Sequence, residues 1–238
     1  MIQYSMSTKL ICGKFEEIDL KQKIDLSFLD PPDNEGRSYK DYKDKIPSKL
    51  YNQLLEKWIS KACQITDGPV FISFAEKYIP IVENVILNNK INLIQRIWWY
   101  FTFGQANKVR YAPCCRPIYW LNKPTIYPQC IKIPSARQIK YKDKRAADGG
   151  KMPPNVWEFS RICGTFKERR SYHPTQHPEK LMERIILGHS KEEDMILDAF
   201  VGSGTSMFVC ERLKRNCIGI DVSPFYINKI DETINNRK

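Results

Sequence analysis

The chain has 238 residues, 42% of them hydrophobic and 12% aromatic, which suffices for one large core or two small ones and is too apolar for a disordered chain. No apolar run approaches the roughly eighteen residues of a membrane span, and Met1-Ile2-Gln3-Tyr4-Ser5 lacks the basic-then-apolar profile of a secretory signal. Eight cysteines with no C-x-x-C pair, and three histidines, give neither a disulfide framework nor zinc spacing, so reduced thiols in a cytoplasm are expected and no metal. The net charge of +11 is localised. Fifteen basic and four acidic residues lie between Phe101 and Tyr172, and the rest of the chain is neutral, a pattern closer to a polyanion footprint than to diffuse solubility.

In chain order, Lys9–Cys12 and Ile24–Asp30 read as short strands, the second ending at Pro31-Pro32. Leu50, Leu54, Leu55, Trp58 and Ala62 have helical spacing over 48–64, with Ser48 as N-cap. Pro69–Phe74 reads as a buried strand, 76–88 as a helix, and Ile91–Phe103 and Ile118–Leu121 as further strands. Residues 104–172 are rich in Pro, Gly, Lys and Arg with weak periodicity, which fits a loop-rich insertion. Then come a helix at about 179–187, a strand at Met195–Phe200, a glycine turn, a helix at 205–214, a strand at Cys217–Ile220 and a helix after Pro224. Strands separated by helices predict an open, mainly parallel α/β sheet.

Two motifs carry chemistry. Asp198-Ala199-Phe200-Val201-Gly202-Ser203-Gly204-Thr205 joins a strand to a helix, where glycines let the backbone approach a ligand and the helix start offers free N–H groups. Asp221 follows 19 residues after Gly202, at the end of the next strand, where a carboxylate can accept from ribose hydroxyls. A P-loop lysine is absent, and Met207 stands where a dinucleotide fingerprint needs a small residue. A nucleoside-type cofactor without pyrophosphate remains, and S-adenosylmethionine fits; the bland alternative is a plain strand–turn–helix. The second motif, Asp30-Pro31-Pro32-Asp33, ends a strand. Taken alone it is as often a simple turn. With the glycine loop it places a carboxylate and a rigid carbonyl at the end of the sheet where ligands collect, an acceptor pair suited to an exocyclic amino group.

These motifs resemble those of the DNA amino-methyltransferases, the enzymes that methylate adenine N6 or cytosine N4, with their (D/N/S)PP(Y/F/W) and FxGxG signatures. Catalytic motif first, then a basic segment, then FxGxG resembles the permuted β-class order. His173-Pro174-Thr175-Gln176-His177-Pro178 is similar to that class's HPTQKP segment, and Ile11-Cys12-Gly13 to its N-terminal cGD segment. The resemblance implies a Rossmann-like fold with helices on both faces, divided into a catalytic half (1–103), a basic target-recognition insertion (104–172) and a cofactor half (173–238). It implies that Asp30 and the Pro31 carbonyl, within Asp30–Asp33, accept from the target amino group. Thr175, Asp198, Phe200, Gly202, Gly204, Thr205 and Asp221 would hold S-adenosylmethionine.

Lys140, Lys142, Lys144, Arg145, Arg169 and Arg170 are the candidate contacts to double-stranded DNA, with a homodimer and a cognate restriction endonuclease as further partners. Asp33 and Lys14 depart from the pattern. The first stands where the family has an aromatic that stacks on the extruded base, leaving Phe28, Tyr39 or Tyr42 as substitutes. Lys14 replaces a cofactor-side aspartate. Trp98–Phe101 reads more readily as core than as a base-stacking surface. The leading aspartate favours adenine N6 over cytosine N4; an RNA or protein methyltransferase and a basic nucleic-acid-binding module are the other readings.

Overall fold

A computed structural model describes residues 8–102, 104, 108–109, 111–146 and 149–236. Its centre is one eight-stranded sheet in the order β1-β8-β7-β2-β3-β5-β4-β6. The strands are β1 (Thr8–Cys12), β2 (Leu26–Leu29), β3 (Pro69–Ser73), β4 (Leu93–Tyr100), β5 (Cys115–Asn122), β6 (Val156–Glu158), β7 (Met195–Asp198) and β8 (Asn216–Asp221). All pairings are parallel except those of β5, which is antiparallel to β3 and β4. Its helices are α1 (Ser48–Ile65), α2 (Ile79–Asn88), a short α3 (Ala136–Ile139), α4 (Glu179–His189), α5 (Thr205–Arg212) and α6 (Pro224–Asn235). The Rossmann-like α/β expectation holds.

The central strands are continuous apolar runs because both faces are covered. In β2, Leu26 and Phe28 point into the core beneath α4, α5 and α6, while Leu29 points into the core beneath α1 and α2. Phe71 and Trp120 face the first core, and Val70, Ile72, Tyr119 and Leu121 the second, following the two-residue period.

Two local expectations are corrected. Helix α1 begins at Ser48 with Pro47 in the cap position, so Ser48 supplies no cap. Proline is tolerated there because the first N–H groups have no intrahelical partner anyway. The second concerns 104–172: the strand expected at Ile118–Leu121 forms as Cys115–Asn122, paired with β3 and β4, so the stretch read as a loop-rich insertion also contributes to the sheet. Arg116, Pro117 and Asn122 extend this strand beyond the apolar run Ile118–Leu121, whose residues are all buried.

The path of the chain places the site. From β2 it moves outward through α1 to β3, and from β7 it moves the opposite way through α5 to β8. The topological switch point therefore falls between β7 and β2, and their carboxyl ends carry Asp198 and Asp30 side by side. The Ala199 N–H donates to the Phe28 carbonyl at 3.1 Å across this junction. Ligands in open α/β sheets collect at such a crevice.

Candidate active site

Above this switch point lies a cavity of about 430 Å³ lined by Asp30, Thr175, Asp198, Phe200, Gly202, Thr205 and Asp221, among others. The turn after β7 is built by two left-handed glycines, Gly202 (φ 45°) and Gly204 (φ 79°). A Cβ on Gly202 would stand 2.8 Å from His173 Nε2, and one on Gly204 2.8 Å from Ile230. Only glycine fits either place, and Gly204 itself occupies the cap position of α5. Asp198 is buried; its Oδ1 accepts from the Phe200 N–H at 3.1 Å and its Oδ2 from the Ser206 hydroxyl. Burial pushes its carboxyl up to about 7. Asp221 accepts from the Gly202 N–H at 3.0 Å and the Ser223 N–H at 2.8 Å. Burial also raises its pKa, against those backbone donors. Strand β1 docks alongside, with the Gly13 N–H donating to the Asp221 carbonyl at 2.8 Å.

The far end of the cavity is aromatic. Phe200 meets Trp58 at 4.9 Å and Phe15 at 6.2 Å, both edge-on. Trp58 Nε1 donates to Glu16 at 2.7 Å. Lys14, in place of the expected aspartate, turns to an exposed pair with Glu17 at 2.8 Å; the carboxylate lining the cavity beside it is Glu16. Phe15, Glu16 and Trp58 are not marked by any motif, and only folding α1 against the β1 loop brings them here.

A second cavity of about 680 Å³ shares Asp30, Tyr39, Thr175 and His177 with the first and adds Pro31, Asp33, Trp99, Phe101, Arg116 and Arg161. Asp30 is the hinge of this shared wall. Its Oδ1 accepts from Arg116 Nη2 at 2.8 Å, and its Oδ2 lies 3.5 Å from His177 Nδ1. Arg116 also grips Asp33 with both terminal nitrogens (2.7 and 3.0 Å) and donates from Nε to Ser73 at 2.7 Å. Burial disfavours the Asp30 carboxylate, yet His177 and Arg116 together hold its pKa below the usual carboxylate range. Burial keeps His177 below its own usual value despite Asp30. The neighbouring Tyr51 hydroxyl donates to the Pro32 carbonyl at 2.5 Å. Among the described residues nothing donates to the Pro31 carbonyl.

Asp33 is thus part of an ion-pair clamp: the Ala75 N–H also donates to it at 3.0 Å. Of the aromatics named as substitutes, Phe28 is 2% exposed and packed edge-on to His177, whereas Tyr39 lines both cavities and Tyr42 only the first. Trp99 and Phe101 are core residues that also wall the second cavity. The three histidines serve separate purposes. His173 packs on Tyr226 and Tyr39, and His177 lies between Phe28 and Trp99. His189 hydrogen-bonds the Thr125 carbonyl at 2.7 Å. Among the described residues no cluster of metal-ligating side chains occurs.

Comparison with known proteins decides the family. A family model described as DNA methylase, of the N6 and N4 methyltransferases, matches residues 24–232. The chain belongs to this DNA methylase family. It is 33% identical over 241 residues to the type II methyltransferase M.HpaI of Haemophilus parainfluenzae, covering 96% of this chain and 74% of that protein. It is 28% identical to the DNA adenine methyltransferase YhdJ of Escherichia coli (strain K12), covering 87% and 74%. Two solved structures share the fold. One is the M1.HpyAVI–SAM complex, with TM-score 0.66 and 22% identity over 96% of this chain and 99% of that one. The other is the cytosine-N4-specific PvuII DNA methyltransferase, with TM-score 0.67 and 17% identity over 97% and 93%.

The basic residues of this DNA methylase divide. Lys140, Lys142 and Lys144 are exposed at and after α3, and Arg145 joins Arg137 in binding Asp143, each at 3.0 Å. Arg169 is exposed. Arg170 is different: it turns inward to Glu179 at 2.9 Å and to Thr205 Oγ1, with its guanidinium 4.2 Å from the Phe208 ring centroid. That is a structural position, because the ion pair and the ring already occupy its donors and its face. No helix among the described residues is long and apolar enough to cross a membrane.

Proposed function

We propose that this methylase transfers a methyl group from S-adenosylmethionine to the exocyclic amino group of a base extruded from duplex DNA. The observation that carries the reading is the shared wall: a glycine-built nucleoside cavity and a second, aromatic-lined cavity meet at one ionised carboxylate, Asp30. The Gly202–Gly204 cradle and Asp221 fit the cofactor's ribose end, and Phe15, Trp58 and Phe200 its adenine, with Glu16 in reach as an acceptor. When bound, the cofactor supplies a methyl group on a positively charged sulfur.

The remaining chemistry belongs to the protein. Asp30 and the Pro31 carbonyl accept the two amino hydrogens, which concentrates the nitrogen lone pair toward the methyl carbon. On accepting that methyl group in place of a hydrogen, the nitrogen would give up one proton to the Asp30 carboxylate. Arg116 fixes the carboxylate plane, so positioning supplies much of the rate. The base leaves the duplex to reach this cavity, with Tyr39 as the aromatic beside it and Asp33 as part of the clamp.

Adenine N6 is the favoured target, supported by the aspartate that leads the motif and by the adenine-specific relative; cytosine N4 is the alternative, represented by the second similar structure. Outside β5 and β6, the basic segment 104–172 is the proposed DNA-facing part. Labelled-methyl transfer assayed on DNA, RNA and protein, followed by sequencing of the modified bases, tests the reading. Label in N6-methyladenine of DNA is the expected result, and label in RNA or protein alone overturns it.

A further inference from the structure

Next to the second cavity is a third, of about 430 Å³, whose walls include Arg161, Arg169, Arg170, His173 and Gln176 and, among the described residues, no carboxylate. Arg170 is neutralised by Glu179. Arg169 gives one N–H to the Gly164 carbonyl at 2.8 Å and makes no ion pair within the described residues. Arg161 likewise has no carboxylate partner there. It is only partly exposed, its guanidinium stands 5.1 Å from the Phe101 ring centroid, and it lines both this cavity and the second one. The second cavity adds Arg37, held by Glu35 at a loose 3.4 Å, with its Nε buried and without a partner. Burial, and secondarily the Arg37 charge, lower the pKa of Arg161.

Arg161 is a partly desolvated cation without a carboxylate partner among the described residues, which is costly in the free protein, and the cost is recovered when an anion arrives. A guanidinium fork matches the two unbridged oxygens of a phosphodiester, and Arg161 sits where the second cavity opens into the third.

We propose that Arg161 and Arg169, with Arg37 on the side of the second cavity, form a seat for the backbone phosphate that flanks the extruded nucleotide. This rests on reading the second cavity as the target-base pocket. A nucleotide rotated out of the stack carries its flanking phosphates with it, and the seat holds one of them while Asp30 engages the base. Unlike the exposed lysines after α3, which can contact phosphates along the duplex, this seat acts on the reacting nucleotide.

The test uses the full chain. On a duplex carrying a mispaired adenine, which leaves the stack at least cost, Arg161→Ala should flatten the dependence of log K on log salt by about 0.9, and Arg161→Lys, which keeps the charge but not the fork, should keep the slope. S-adenosylmethionine affinity should not change in either variant. On a duplex bearing the site mapped by sequencing, an uncharged methylphosphonate linkage is placed on the 5′ or the 3′ side of the target base. One placement should cost the wild type about 10- to 100-fold in affinity, and that loss should vanish in Arg161→Ala. An unaltered salt slope in Arg161→Ala, or full additivity of its loss with the methylphosphonate loss, overturns the seat. Inorganic phosphate that competes with DNA at millimolar levels in the wild type but not in Arg161→Ala, while the methylphosphonate has no effect, would give the seat to free phosphate and overturn the DNA assignment. A wild type that binds duplex but methylates none of it defeats the proposed function instead; the salt slope still decides the seat.

Discussion

Arg116 holds a buried carboxylate, Asp33, and a partly buried one, Asp30, with one guanidinium, and this shapes what can be changed around Asp30. Removing one member of such a group strands the others, typically at about 3–5 kcal/mol. Arg116→Ala should therefore lower stability by about that much in urea denaturation and abolish methyl transfer, while Asp30→Asn should lose the transfer step yet keep cofactor affinity. A single-turnover rate near wild type for Asp30→Asn would refute its assignment. The same geometry bears on Asp33→Tyr. The motif alone suggests that an aromatic there would improve stacking, but Asp33 receives both terminal nitrogens of Arg116 and the Ala75 N–H. The substitution should destabilise the fold.

Asp198 gives a pH prediction at the same scale. Its folded pKa, raised by burial to about 7, lies above the ordinary aspartate value of 3.8. Between these values the unfolded chain has released the proton and the folded chain still holds it. Stability should fall as pH rises from about 4 to about 7 and then level off. Asp198→Asn should flatten that part of a melting-temperature series; an unchanged profile would show that Asp198 does not cause it.

Among the elements, the turn between β7 and α5 is the most constrained. Gly204 adopts φ 79° and a Cβ there would meet Ile230 at 2.8 Å and Phe208 at 2.9 Å. Gly204→Ala should cost about 1–3 kcal/mol from the left-handed backbone and the overpacking and weaken cofactor binding by displacing α5. Calorimetry and thermal melting read both effects. Asp221→Ala should lose cofactor affinity by about 1.5–3 kcal/mol for a hydrogen-bonded charge, and some stability as well, because the N–H groups of buried Gly202 and Ser223 lose their acceptor.

For the whole molecule, charge and fold are distributed differently along the chain. The +11 sits between Phe101 and Tyr172, yet that stretch also supplies β5 and Arg116 to the sheet and site. Replacing Lys140, Lys142, Lys144 and Arg145 together by alanine should flatten the salt dependence of DNA binding by up to about three units, since Asp143 already offsets Arg145. Cofactor affinity should hold. An unaltered slope would make this cluster a solvated surface.

What the sequence determined by itself was local and periodic. Apolar runs in β2, β3 and β7, the helical spacing of α1, and the strand–glycine–helix turn ending at Asp221 all depend on neighbours a few residues apart, and together they yield the α/β class and the nucleoside cavity. The contiguous Asp30-Pro31-Pro32 motif pointed to amino-methyl transfer through its resemblance to the DNA amino-methyltransferases. Only the tertiary structure decided the rest. Arg116 meets Asp30 from 86 residues away, Trp58 and Glu16 meet across a helix and a loop, and Arg170 faces Glu179 rather than solvent. Each of these depends on which strand lies beside which. A basic residue reads alike in sequence whether it faces DNA or a buried carboxylate, because partner and solvent exposure are set by packing between distant segments.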